Sequence, residues 1–130
     1  AARLGNVVVH GKVDPSRMGD IFGRAAVLCC TSIYEGFPNT FLEAWSRGLP
    51  VVSTVDPDGL IASRGIGVVA SDRDGLAAGI RGFLESPSRW GEASKKARSY
   101  YLDNHALEPV VSRFEALFLD AIDGGRGVRS

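Results

Sequence analysis

Cysteine is almost absent from this sequence: Cys29 and Cys30 are the only two among 130 residues, and they are adjacent. Neighbouring side chains of an extended run point to opposite faces. This argues against a disulfide framework or a metal site and for a reduced, cytoplasmic setting. A surplus of charge is also lacking, since 15 basic residues balance 15 acidic ones. Non-specific nucleic-acid binding needs excess Lys and Arg, so nucleic acid is not an expected partner. An anion would need a local site rather than a global field. No long apolar run occurs: the longest, Ala25 to Cys30, is far short of a bilayer span. The opening AARLGNVVVH carries neither the apolar segment nor the cleavage site of a signal peptide. What remains is a globular composition at the length of one domain. Glycine is the one excess, with 16 residues, which suits a loop-rich α/β chain whose backbone approaches ligands or neighbours closely.

The pattern alternates along the chain. Asn6 to His10 is a β-branched run that predicts a strand. Asp14-Pro15 supplies a cap and a first-position proline for a helix through about Ala25. Ala26 to Cys30 and Leu49 to Thr54 predict buried parallel strands, flanking a helix from Pro38 to Arg47 that Gly48 and Pro50 stop. Val55 to Gly65 predicts a loop and Gly67 to Ala70 a short strand. Helices follow from Asp72 to about Glu85, from Ser86-Pro87 to about Leu102, and from about Leu107 to Ile122. Residues 124–130 predict a disordered tail. Alternation of this kind predicts an α/β fold: a Rossmann-like, doubly wound parallel sheet with helices on both faces and a helical C-terminus.

The chemistry concentrates between Thr31 and Thr54. A strand ends, a loop carries Glu35-Gly36, and a helix begins at Pro38 with Glu43 inside it. Doubly wound folds bind ligands at such carboxyl ends. The helix start predicts free N–H groups at Asn39, Thr40 and Phe41, suited to a phosphate. Gly36 admits a ligand close to the backbone. Glu35 and Glu43 lie eight positions apart, and helical side chains tilt back toward the N-terminus, so both can face one ligand. Two carboxylates repel a phosphate but accept hydrogen bonds from vicinal diols. A nucleotide sugar has that layout: ribose diol, diphosphate, sugar hydroxyls. Taken as an isolated pair, the two acids would simply be solvated.

EGFPNTFLEAWSRGLPVVST resembles the paired-glutamate segment of the retaining glycosyltransferases of family 4, also called group 1. The resemblance runs from about Val7 to Ile122. It implies the C-terminal, donor-binding domain of a two-domain GT-B enzyme of hexosyltransferase type, over residues 1–123. Glu35 matches the glutamate that faces the donor sugar and is the catalytic candidate; Glu43 matches the one that binds the ribose. Gly36, Phe37, Asn39, Thr40 and Phe41 match the stretch that meets the diphosphate or sugar. Gly11, Val13 and Asp14 match the turn near the base. The family needs no metal or other cofactor, and its donors imply UDP- or GDP-linked sugars.

Against the family pattern, no preceding strand, Gly-rich turn or Arg/Lys pair stands before Val7. The resemblance therefore implies a fragment that lacks its first strand-helix units and the N-terminal acceptor domain, and is inactive alone. An uncovered sheet edge is then expected, to be met by another chain, such as a second copy, or by further sequence. Membrane contact is reserved for the full-length protein. The alternative is a non-catalytic nucleotide-sugar-binding or interaction module. A receiver-like signalling domain is disfavoured, because Cys30-Thr31-Ser32 offers no acids at a strand end. Other features read as structural. Asp56-Pro57-Asp58 predicts a turn rather than a metal motif, and Phe22, Trp45, Phe83 and Phe114 predict core.

Overall fold

The computed structural model describes residues 4–126. Its centre is a parallel sheet of three strands in the order β1-β2-β3: Leu28–Cys30, Val51–Ser53 and Gly67–Val69. Leu28 pairs with Val51, and Val51 with Gly67. The helices are α1 (Pro15–Gly23), α2 (Asn39–Trp45), α3 (Leu60–Arg64), α4 (Arg73–Leu84), α5 (Pro87–Asn104) and α6 (Leu107–Arg126).

Strand period sorts the core into two layers. Val51 and Val52 are adjacent and both fully buried, but they face opposite sides of the sheet. Val51 joins Phe22, Phe41, Trp45, Ile61 and Ala97, which brings α1, α2, α3 and α5 to one face. Val52 joins Leu76, Phe83 and Ala93, which brings α4 and the first half of α5 to the opposite face. Burial of each such side chain contributes about 1.5–3 kcal/mol. The fold is thus α/β, with a parallel sheet covered on both faces. The Trp90 indole N–H donates to Ala26 O (2.7 Å), tying α5 to the entrance of β1.

Most helix starts follow from local chemistry. The Asp14 carboxylate accepts from Ser16 N (2.9 Å), with Pro15 in the first turn of α1. Asp72 caps α4 through Gly75 N (2.7 Å), and Ser86 caps α5. The chain leaves α2 through Gly48 at φ 68°, a left-handed conformation that only glycine adopts without strain. Leu49 N then bonds back to Ala44 O (2.9 Å), and β2 follows at once.

Four expectations need correction. Asn6–His10 forms no strand, and Val9 is 88% exposed. A strand requires a paired edge, and in a doubly wound order this segment's neighbour is not among the described strands. The outer edge of β1 is likewise unpaired among the described residues. The expected loop at Val55–Gly65 contains a 3-10 turn (Pro57–Gly59) and α3. Asp56 makes them possible, because its carboxylate accepts from Ile61 N (2.7 Å) and Ala62 N (3.2 Å). Phe114 is 57% exposed rather than core, one of several apolar residues on an α6 that packs mainly on α5. Finally, α6 continues through Arg126; residues 127–130 of the expected tail lie outside the described residues.

Candidate functional site

The loop between β1 and α2 is held at both ends. At its start, Thr54 at the exit of β2 donates from Oγ1 to Ser32 O (2.6 Å) and from N to Cys30 O (3.1 Å). In its middle, Ser32 Oγ donates to Glu35 Oε1 (2.9 Å), which orients an otherwise exposed carboxylate. At its end, the Phe37 ring packs edge-on against Trp45, with centroids 6.1 Å apart, and against His105 at 5.9 Å. Trp45 is fully buried, and Tyr100 stands edge-on to it at 5.4 Å. Trp45 of α2 and His105 of the turn after α5 therefore fix Phe37, the residue before Pro38.

Pro38 is buried and extended (ψ 121°), the residue before α2 rather than its first helical residue. Its carbonyl accepts from Phe41 N (2.9 Å). Phe41 therefore has no free N–H, and its side chain is fully buried. Asn39 and Thr40 are exposed, and their N–H groups meet no acceptor among the described residues. A helix of seven residues has a small dipole, so these two donors, not the field, are what the helix start offers an anion. Glu43 lies one turn further on and is half-buried; its carboxylate makes no hydrogen bond among the described residues. Gly36 is exposed, and an added Cβ there would meet nothing within 4 Å.

The residues matched to the base-binding turn lie elsewhere in the chain. Gly11 takes φ 63°, and Asp14 is occupied by capping α1. Hydrogen bonds from Ser16 hold the Asp14 carboxyl below the usual carboxylate range. Val13 lines a groove of about 570 Å³ with Val8, His10, Lys12 and Arg17, and neither Glu35 nor Glu43 borders it. The structure thus keeps Glu35, Gly36, Phe37, Asn39, Thr40 and Glu43 on one strand-loop-helix unit, apart from that groove. Both cysteines are free, and burial, then Cys30, pushes the Cys29 thiol up, away from reactivity. Among the described residues no three His, Cys, Asp or Glu side chains group as metal ligands, and no helix is long and apolar enough to cross a membrane.

A family model, that of the group 1 glycosyl transferases, matches residues 1–86. The chain belongs to the group 1 glycosyltransferases. This glycosyltransferase chain is also similar to an MMP alpha-(1->4)-mannosyltransferase of Mycolicibacterium hassiacum, with 26% identity over 125 residues. That match covers 88% of this chain and 30% of the relative, so the chain spans about a third of the relative's length. No solved structure matches it significantly.

Thr54 and His105 are the supporting residues that sequence reading misses, because each acts across the fold rather than within the motif. His105 also gives the site's surroundings a pH dependence. Burial, and then the Arg113 guanidinium, holds its imidazole below the ordinary value of 6.5. Its Nε2 lies 3.2 Å from Tyr100 Oη. The unfolded chain therefore takes up this proton more readily than the folded one. Stability from the neutral ring is complete above about pH 6.5 and is lost as pH falls below it. Thermal melts of the protein should show a falling midpoint over that window. His105→Phe, which keeps a ring against Phe37, should flatten the fall; an unchanged slope would refute the assignment.

Proposed function

We propose that this chain is the donor-binding part of a retaining glycosyltransferase, taking a UDP- or GDP-linked sugar without a metal. The observation that carries the reading is an order along the chain: after the carboxyl end of β1 come Glu35 in the loop, Asn39 and Thr40 whose N–H groups meet no acceptor among the described residues, and Glu43 inside α2. Glu35, oriented by Ser32, accepts from the sugar hydroxyls, and Glu43 accepts from the ribose diol. Asn39 N and Thr40 N donate to the diphosphate between them, with the bare backbone of Gly36 alongside. Gly11, Val13 and Asp14 remain the residues proposed nearest the base. Thr31 to Ser46 contains no Lys or Arg, so the segment has no positive charge of its own to stabilise a departing diphosphate. The chain alone is therefore proposed to bind its donor without transferring the sugar. The activity belongs to a larger assembly that includes an acceptor-binding domain.

Calorimetric titration with UDP and GDP tests this reading. One of the two should bind, and Glu43→Ala should weaken it about tenfold or more, the size of a lost charged hydrogen bond. Gly36→Ala separates ligand contact from structure. Nothing in the fold opposes a Cβ there, so its stability should be unchanged while nucleotide-sugar affinity falls. Equal binding by the wild type and Glu43→Ala, or none by either, would overturn the reading.

A further inference from the structure

The helix that begins at the candidate donor site ends at a second polar surface. α2 runs from Asn39 to Trp45, against the direction of the strands it connects. Its last turn and the Gly48 corner lie at the opposite end of the sheet from Glu35. There an open groove of about 780 Å³ separates the end of α2 from the middle of α5. Arg47, Lys95 and Arg98 line it, together with the hydroxyls of Ser46, Ser94 and Ser99. Among the described residues no carboxylate lines it.

Three observations make this more than a solvated helix face. First, the cations are unmatched. Among the described residues the ion pair within 4 Å is Arg73–Asp74, distant in sequence from the groove. In a chain of zero net charge, three gathered cations without a counter-charge are a local excess held together by the fold. Second, the groove is built. Gly48 presses so closely on α5 that an added Cβ would stand 2.9 Å from Ser94 Oγ. Buried Ala97 and Trp45 lie in the core layer beneath. Ser94, Lys95, Arg98 and Ser99 follow the i, i+1, i+4, i+5 spacing of one helix face. Third, Arg47 is pre-positioned. Its Nη1 donates to Glu43 O (3.3 Å) and Ser46 Oγ (3.2 Å), and its guanidinium lies over the Phe22 ring at 5.7 Å. Those bonds use one nitrogen and leave the other guanidinium donors for a ligand.

We propose that this groove is a second anion site, separate from the donor site, which takes the phosphoryl group of a phosphate ester. Ammonium, guanidinium and hydroxyl groups offer donors and charge to every oxygen of a phosphoryl group. The groove is open, at about 780 Å³, and leaves space for the body that carries the phosphate. That body is either a soluble phosphate ester or the head group of an anionic lipid, and the two sources are separable by experiment.

The test uses the whole chain, followed through its backbone amide NMR signals. Inorganic phosphate should shift the amides of Gly48, Ser94, Lys95 and Ser99. The variants Arg98→Gln and Lys95→Gln, both at exposed positions, should weaken that response about tenfold or more while the rest of the spectrum stays folded. Glu43→Ala should leave it intact. Cosedimentation with phosphatidylglycerol vesicles, compared with phosphatidylcholine vesicles, then assigns the source. Sedimentation that Arg98→Gln abolishes marks a lipid head group. A phosphate response without sedimentation marks a soluble ester. The proposal is overturned if phosphate shifts none of these amides, or if both variants respond like the wild type.

Discussion

Gly67→Ala should leave the chain unable to hold its fold. Gly67 opens β3 and pairs directly with Val51 on the central strand. A Cβ on it would stand 2.0 Å from Val51 O and 2.9 Å from Ile61 Cγ2. The first neighbour is backbone, so no rotamer relieves the overlap. β3 has to move off β2 to clear Val51 O, and Ile61 on α3 has to give way as well. Both shifts open the layer that contains Trp45 and Phe41. Overpacking alone costs about 1–3 kcal/mol, and here it adds to broken strand pairing, in a domain whose total stability is about 5–15 kcal/mol. Urea denaturation should show a loss of about 3 kcal/mol or more, or no folded baseline at all. Gly36→Ala is the matched control, since a Cβ there meets nothing. A cooperative Gly67→Ala transition near the wild-type midpoint would show that β3 is not held as described.

The reach of each signal along the chain decides which parts of the fold are legible in sequence. Val51-Val52 beside Gly48 and Pro50 announces a buried strand after a stopped helix, and that is where β2 lies. Asp14-Pro15, Asp72 and Ser86-Pro87 announce helix starts, and each caps as expected. These signals are local: residue and consequence lie within a turn of each other. α3 is invisible because its cap is not local. Asp56 reaches five positions ahead to Ile61, across a segment in which Asp58 and Gly59 both take left-handed conformations. Asn6–His10 fails in the opposite way. Its β-branched run is a real local preference, but a strand also needs a neighbour, which local sequence does not report. Phe114 shows the same limit on α6, where helical period marks an apolar face but not what meets it.

The candidate site divides along the same line. Glu35, Gly36 and Glu43 sit on the strand-loop-helix unit that their spacing predicts. The groups that hold the loop come from far along the chain: Thr54 from the end of β2, His105 from the turn after α5. Pro38 marks the helix start correctly but stands one position before it. That difference takes Phe41 N–H out of use and leaves Asn39 and Thr40 as the donors. One residue of register thus decides which amides at the helix start are left without an acceptor among the described residues.

Trp45→Ala should be as damaging as Gly67→Ala for stability and should also reach the candidate site. The indole is fully buried, touches Phe41 (5.7 Å) and Tyr100 (5.4 Å) between centroids, and carries the Phe37 ring on its edge (6.1 Å). Truncation removes the largest fully buried side chain and leaves a cavity, at about 3–5 kcal/mol. Trp45→Phe separates shape from chemistry. Among the described residues the buried indole N–H has no partner, which itself costs about 1–3 kcal/mol. Phenylalanine gives up part of the ring volume but removes that orphan donor, so its loss should be less than half that of alanine. Phe37 should keep its seat in Trp45→Phe and lose it in any Trp45→Ala chain that still folds. Nucleotide affinity should follow, near wild type in the first and reduced in the second, because Phe37 anchors the loop that carries Glu35. Equal urea midpoints for the two variants would mean that the orphan N–H, not the packing, sets the energetics at this position.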